Sequence, residues 1–139
     1  TWPAFWLVCT KNLKQFPQNK CPRINPEIDV VEHYGHWPWR YSFAYHEWGF
    51  KGAESTHDET RILAFGTEEA FHTYGVMIDD THIVLYYDGV EMLRMETPEA
   101  AKTPLYPLIN LALGPGWPLD KTPDPCYMYV DYVKIWREK

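Results

Sequence analysis

Three carboxylates within six residues are the groups best placed to do chemistry. They are Glu27, Asp29 and Glu32, in the run Glu27-Ile28-Asp29-Val30-Val31-Glu32. On a strand, positions i and i+2 share a face, so Glu27 and Asp29 point together. Glu32 lies five positions from Glu27, and a regular ladder would turn it to the opposite face. One extra residue, a β-bulge, returns it to the same face. Ile28 and an aliphatic partner from Val30-Val31 then pack beneath. Five regular steps span about 16 Å of strand, and a bulge shortens this to about 13 Å. Two extended glutamates on a concave sheet can close the remainder. Paired carboxyls roughly 5–5.5 Å apart suit cleavage of a glycosidic bond with retention of configuration. A middle acid would orient one glutamate by hydrogen bonding, and its charge would help keep the other protonated. The same alternation also describes an ordinary solvated sheet face. The surroundings favour chemistry, because Tyr34, Trp37, Trp39, Tyr41, Phe43, Tyr45 and Trp48 follow within one strand, turn and strand. Sugars stack their C–H faces on such rings, and carboxylates bind their hydroxyls.

The elements that must position these acids read as short strands between turn signals, the pattern of an all-β, antiparallel sandwich. Candidate strands are Ala4–Cys9, Glu27–Glu32, Tyr41–Glu47, Arg61–Phe65, Phe71–Ile78, His82–Tyr87, Val90–Met95, Leu105–Leu113 and Tyr127–Trp136. A polar stretch with Pro17, Pro22 and Pro26 reads as a loop. Asp88-Gly89 predicts a type I′ hairpin turn, which needs φ > 0 at both central residues. Thr97-Pro98-Glu99-Ala100-Ala101 predicts one helical turn, with Thr97 as N-cap and Pro98 first in the helix. Gly114-Pro115-Gly116 predicts a loop before the last strand.

Composition narrows the partners. Seven Trp, ten Tyr and six Phe in 139 residues exceed what a core of this size needs, so rings are expected to line a binding surface as well. A net charge of −6 lacks the basic footprint of a nucleic-acid binder. No basic cluster suggests anionic lipid, and the longest apolar runs are too short to cross a bilayer. No signal peptide is visible and residue 1 is not Met, so the chain is expected to begin within a longer protein. Cys9, Cys21 and Cys126 form no C-x-x-C pair. A set of buried thiols is favoured over one bridge plus a free thiol, and the compartment stays open on this count.

The residues resemble glycoside hydrolase family 16, the family of laminarinases, lichenases and agarases. Glu27 to Gly35 is similar to its bulged E-x-D-x-x-E signature with a trailing Gly, and Thr1-Trp2-Pro3-Ala4-Phe5-Trp6-Leu7 to its upstream W-P-A-F-W-L strand. Phe71-His72-Thr73-Tyr74-Gly75, Tyr87-Asp88-Gly89, Leu108 to Ala112 with Trp117-Pro118, and Val130 to Trp136 follow in family order. The resemblance implies a concanavalin-like jelly roll, incomplete at its N-terminus, with residues 1–139 the C-terminal portion of one catalytic domain. It implies a retaining endo-β-glycanase, with Glu27 as nucleophile, Glu32 as general acid/base and Asp29 as assisting acid. Trp6, Trp117 and His46 match substrate-cleft positions, and Asp131 matches a structural calcium ligand, no other cofactor being required. β-1,3- or mixed β-1,3/1,4-glucan is the expected substrate, and a secreted or periplasmic monomer the expected form. Asn25-Pro26 stands where a Gly-containing turn is expected, and His33 where the family has an aromatic or aliphatic residue, which would act on the acid's pKa.

Taken alone, Trp6 reads equally as core or cleft, Trp117 as cleft rather than core, and His46 as a structural histidine rather than a ligand. Trp37 and Trp39 flank Pro38 on a loop where one could stack on substrate. His33 and His36 lack a third ligand at zinc spacing. No G-x-S-x-G, H-E-x-x-H, P-loop or dinucleotide motif is present. Two other functions compete with hydrolysis: a lectin-like sandwich that grips polysaccharide without cutting it, and a transglycosylase in which a sugar replaces water.

Overall fold

The computed structural model describes residues 1–10, 24–50, 52–114 and 116–137. Among the described residues eight strands are formed: β1 (Trp2–Cys9), β2 (Ile24–Glu32), β3 (Arg40–Gly49), β4 (Thr56–Leu63), β5 (Tyr74–Ile78), β6 (His82–Tyr87), β7 (Val90–Glu96) and β8 (Leu105–Ala112). They build two antiparallel sheets, a five-stranded one in the order β4-β3-β2-β1-β8 and a three-stranded one in the order β5-β6-β7. The protein is all-β, as the alternating pattern requires.

Period-2 alternation decides which face of the larger sheet is buried. Leu7 on β1, Ile28 and Val30 on β2, and Tyr41, Phe43 and Tyr45 on β3 turn to one face, where Ile83 and Leu85 of β6 meet them. Ile28 and Ile83 are completely buried, and each such side chain contributes roughly 1.5–3 kcal/mol. Tyr41 ties the sheets together, its ring centroid 5.4 Å from that of Tyr74 and 5.9 Å from that of Tyr87. The opposite face of the larger sheet is left free for Trp6, Glu27, Asp29, Ala44 and His46.

The hairpin joining β6 to β7 turns through Asp88 at φ 49° and Gly89 at φ 79°, as Asp-Gly predicts. Elsewhere the sequence expectations are corrected. Pro26 lies inside β2, opposite Glu47, and not in a loop. The register of β2 with β1 ends at Val8 and Glu27, so Pro26 has a paired neighbour on one side only, where a missing N–H is tolerated. The strand expected at Arg61–Phe65 begins at Thr56 and ends at Leu63, held to β3 along its length. The strand expected from Phe71 starts at Tyr74.

Thr97 does not cap the turn Glu99–Ala101, a 3₁₀ turn whose N-cap is Pro98. The Thr97 hydroxyl instead donates to the Asp79 carbonyl at 2.8 Å, tying it to the β5–β6 turn. Tyr127–Trp136 forms no strand: these residues follow β8 without a ladder partner among the described residues. The prolines at 17 and 22, Cys21 and Pro115 lie outside the described residues. Cys9 is a buried free thiol and Cys126 a half-buried one.

Candidate active site

The bulge expected in β2 is present and it does what the spacing demands. Across to β3, Glu27 pairs with His46 and Asp29 with Ala44, but Glu32 pairs with Ser42, so Val30 and Val31 together face Phe43. Across to β1, Asp29 pairs with Trp6 and Val31 with Phe5, leaving Val30 as the extra residue. Positions 46, 44 and 42 of β3 share a face, and therefore so do all three acids. Both valines are buried beneath them. Four steps along β3 separate the partners of Glu27 and Glu32, about 13 Å of strand. The acids line an open groove of ≈ 450 Å³ whose walls include Trp2, Trp6, Tyr34, His46, Trp48, His57, Glu59 and Asn110.

Each acid has its own surroundings. Burial pushes the Glu27 carboxyl above the usual range; a hydrogen bond from the Trp48 indole opposes this, and the charge of Glu32 adds to it. Burial likewise raises Glu32, against the hydrogen bonds from Tyr34 and Trp2. The Trp2 indole N–H donates to Glu32 Oε1 at 3.0 Å, and the Tyr34 hydroxyl donates to the same oxygen at 3.1 Å. Asp29 is the most buried of the three; burial first, then the charges of Glu32 and Glu27, push it up to about 8.

Asp29 Oδ2 lies 3.1 Å from His46 Nε2. This distance would suit an ion pair, but burial and the neighbouring His57 hold His46 below its ordinary pKa while Asp29 is raised. Both shifts favour an uncharged pair, a carboxylic acid beside a neutral imidazole. Asp29 therefore turns to His46, and a protonated Asp29 spares Glu27 a charged neighbour. His46 is held in a column of rings, stacked on Trp48 at 5.1 Å and His57 at 5.5 Å.

The other predicted site residues divide. Trp6 is half-buried in the groove wall rather than in the core, its indole donating to Asn110 Oδ1 at 2.7 Å. Trp117 joins an aromatic cluster beyond Glu32, with ring centroids 5.2 Å from Tyr34, 5.5 Å from His36 and 4.9 Å from Trp37. The Arg40 guanidinium lies over the Trp37 ring, 4.0 Å from its centroid. Trp39 is exposed outside this cluster. His33 turns to Thr67: the Thr67 hydroxyl donates to the Pro38 carbonyl at 2.8 Å and so accepts from His33 Nε2 at 2.7 Å. His36 stacks on Trp117, away from that bond.

Asp131 is exposed in the segment after β8. Among the described residues it joins no group of three carboxylate, histidine or cysteine donors. No step is routed through Asp131.

Several groups at the site were not singled out in the sequence. Trp2 and Tyr34 serve Glu32 as hydrogen-bond donors, a role that a count of aromatic residues does not reveal. Asn110 is the one polar residue in Leu108–Leu113, a usable signal. His57 and Glu59 alternate on β4 opposite His46 and Ala44, but only the β3 register brings them to the groove. Glu59 accepts from the Ser42 hydroxyl at 2.6 Å and from Arg61 at 3.4 Å, which hold its carboxyl below the usual range. The trailing Gly35 has a steric reason: a Cβ there would meet Thr1 Oγ1 at 3.0 Å, where Gly35 N donates to the Thr1 carbonyl at 3.1 Å.

The family model for glycosyl hydrolases family 16 matches residues 1–134. The chain is 34% identical over 140 residues to the endo-1,3-1,4-beta-glycanase EglC of Rhizobium meliloti (strain 1021), and 32% identical over 137 residues to ExsH, which carries the same description. Each match takes in 97% of this chain and 27% of the relative, so the chain spans about a quarter of their length. The endo-beta-1,3-glucanase of Pyrococcus furiosus superposes on 88% of this chain and 49% of its own, with a TM-score of 0.63 and 27% identity. The two antiparallel sheets are thus part of a jelly roll.

Proposed function

The chain belongs to glycosyl hydrolases family 16, and from that membership we propose that it carries the catalytic acids of a retaining endo-β-glycanase acting on β-1,3- or mixed β-1,3/1,4-glucan. The observation that carries this reading is the bulge in β2, which gathers Glu27, Asp29 and Glu32 on one wall of an aromatic groove. The descriptions of EglC, ExsH and the Pyrococcus enzyme supply the substrate class.

In this mechanism ionised Glu27 attacks the anomeric carbon while protonated Glu32 gives its proton to the departing glycosidic oxygen. Water, with Glu32 now as base, then resolves the glycosyl-enzyme. The surroundings suit the two roles. The Trp48 indole favours the charged form of Glu27. Burial, with a smaller contribution from the charge of Glu59, favours the protonated form of Glu32 against the donors Tyr34 and Trp2. Asp29, neutral against His46, keeps a second charge out of the row. Trp2, Trp6 and Trp48 offer ring faces to the sugars. A secreted or periplasmic location agrees with a polymeric substrate.

Glu27→Gln in the full chain, assayed on laminarin and mixed-linkage β-glucan, is expected to cut reducing-sugar release roughly 10⁴-fold. Proton NMR of the first product formed by the unaltered chain is expected to show the β-anomer. Turnover by Glu27→Gln at the unaltered rate would exclude Glu27 as nucleophile. Binding without release by the unaltered chain would favour a lectin-like role, and products longer than the substrate would show transglycosylation.

A further inference from the structure

We propose that Tyr34 is a positioning residue for Glu32, its hydroxyl and the Trp2 indole together occupying Oε1 so that Oε2 carries the proton given to the leaving group. This rests on the reading of Glu32 as general acid/base. An indole N–H can only donate, and the Trp2 and Tyr34 donors both reach Oε1, at 3.0 and 3.1 Å. An oxygen accepting two hydrogen bonds is best kept as the carbonyl of a carboxylic acid. The O–H then belongs to Oε2.

In the step itself, the proton passes from Oε2 to the glycosidic oxygen. The bond from that oxygen to the anomeric carbon breaks, its electron pair leaves with the oxygen, and Glu27 forms the new bond to carbon. Negative charge thus appears on Glu32 where two donors already point at it, with no reorganisation required. The same donors oppose the effect of burial on Glu32, so the proton is held but remains transferable.

Tyr34 is itself held from outside the acidic strand. Its ring centroid lies 5.4 Å from that of Trp2 and 5.2 Å from that of Trp117. Its carbonyl accepts from Trp37 N at 2.8 Å, and the next residue, Gly35, bonds Thr1. Trp117 comes from the loop after β8, so that loop acts on the acid through the phenol ring.

Tyr34→Phe in the full chain keeps the ring and removes the donor. On mixed-linkage β-glucan, kcat is expected to fall about tenfold, with KM changed less than about twofold, because the lost interaction matters most as charge develops. The basic limb of the kcat/KM profile is expected to move to higher pH, since a group that lowers the Glu32 pKa is gone. A dinitrophenyl β-glycoside, whose leaving group needs no proton, is expected to lose less in the first step. Carbon-13 titration of the Glu32 carboxyl reads the same shift without turnover, and an unchanged melting temperature shows the fold intact. A basic limb and a carboxyl titration that both stay in place would overturn the assignment. Turnover of glucan by Glu32→Gln at the unaltered rate would instead remove the acid/base reading, and this proposal with it.

Discussion

β2 and the segment Tyr127–Trp136 have the same kind of sequence, in which β-branched and aromatic residues alternate with polar ones. β2 is paired with β1 on one side and β3 on the other. Its Ile28 is completely buried and Val30 is 2% exposed. The later segment has no ladder partner among the described residues, and its Ile135 and Trp136 are 75% and 80% exposed. Alternation therefore selects a chain that can be a strand, but neighbours on which to spend its backbone hydrogen bonds make it one. The contrast also explains where chemistry is built. Asp131, in a segment without a ladder partner among the described residues, is exposed. A carboxylate between two strands is partly desolvated and placed among specific donors, which alter its pKa.

The strongest way to break this comparison is to insert one alanine between Val31 and Glu32. The bulge takes up one extra residue, so a second moves Glu32 from the register of Ser42 to that of Tyr41, on the core side. Glucan hydrolysis is expected to fall at least about 10⁴-fold, and thermal unfolding to occur at lower temperature because a carboxyl enters the core. Reducing-sugar release and circular dichroism check both. Preserved activity would mean that the bulge is not what gathers the acids.

A smaller effect sharpens the same point. Folded Asp29 keeps its proton to about 8, against 3.8 for a free aspartate. Between those values the folded state binds more protons than the unfolded one, so this group makes the protein less stable as pH rises from about 4 to about 8. Asp29→Asn is expected to stabilise the fold at pH 7, with the gain vanishing near pH 4, while turnover falls. Urea unfolding at the two pH values measures it, and an equal gain at both would rule out the titration argument. Smallest is the change expected in the unpaired segment. Ile135→Thr in this chain should shift unfolding by less than about 0.5 kcal/mol, because the side chain leaves little water behind. A loss of several kcal/mol would show that the segment is packed and that the contrast with β2 fails.

Much of this arrangement was legible residue by residue. Asp88-Gly89 determined its own turn because backbone conformation there is a local property. The acids declared their bulge because five is odd and a strand face has period two. Thr97 was misleading for the opposite reason: its hydroxyl could accept from the N–H groups of the following turn or donate to a carbonyl elsewhere, and the carbonyl it took, that of Asp79, is distant in sequence. Pro26 read as a loop because its tolerance in β2 depends on where β1 stops pairing. Tyr34 was visible as an aromatic residue two places after Glu32, but its use as a donor depends on Trp2 and Trp117 fixing its ring.

By itself, the amino-acid sequence determined the class of fold, the strand faces, the turn at Asp88-Gly89 and the identity of the three acids, since all of these follow from local conformation and periodicity. Tertiary structure alone decided which acid is driven neutral, which oxygen of Glu32 receives two donors, and which alternating segment becomes a strand. Those outcomes depend on desolvation and on partners distant along the chain, and neither is set by the spacing of residues within it.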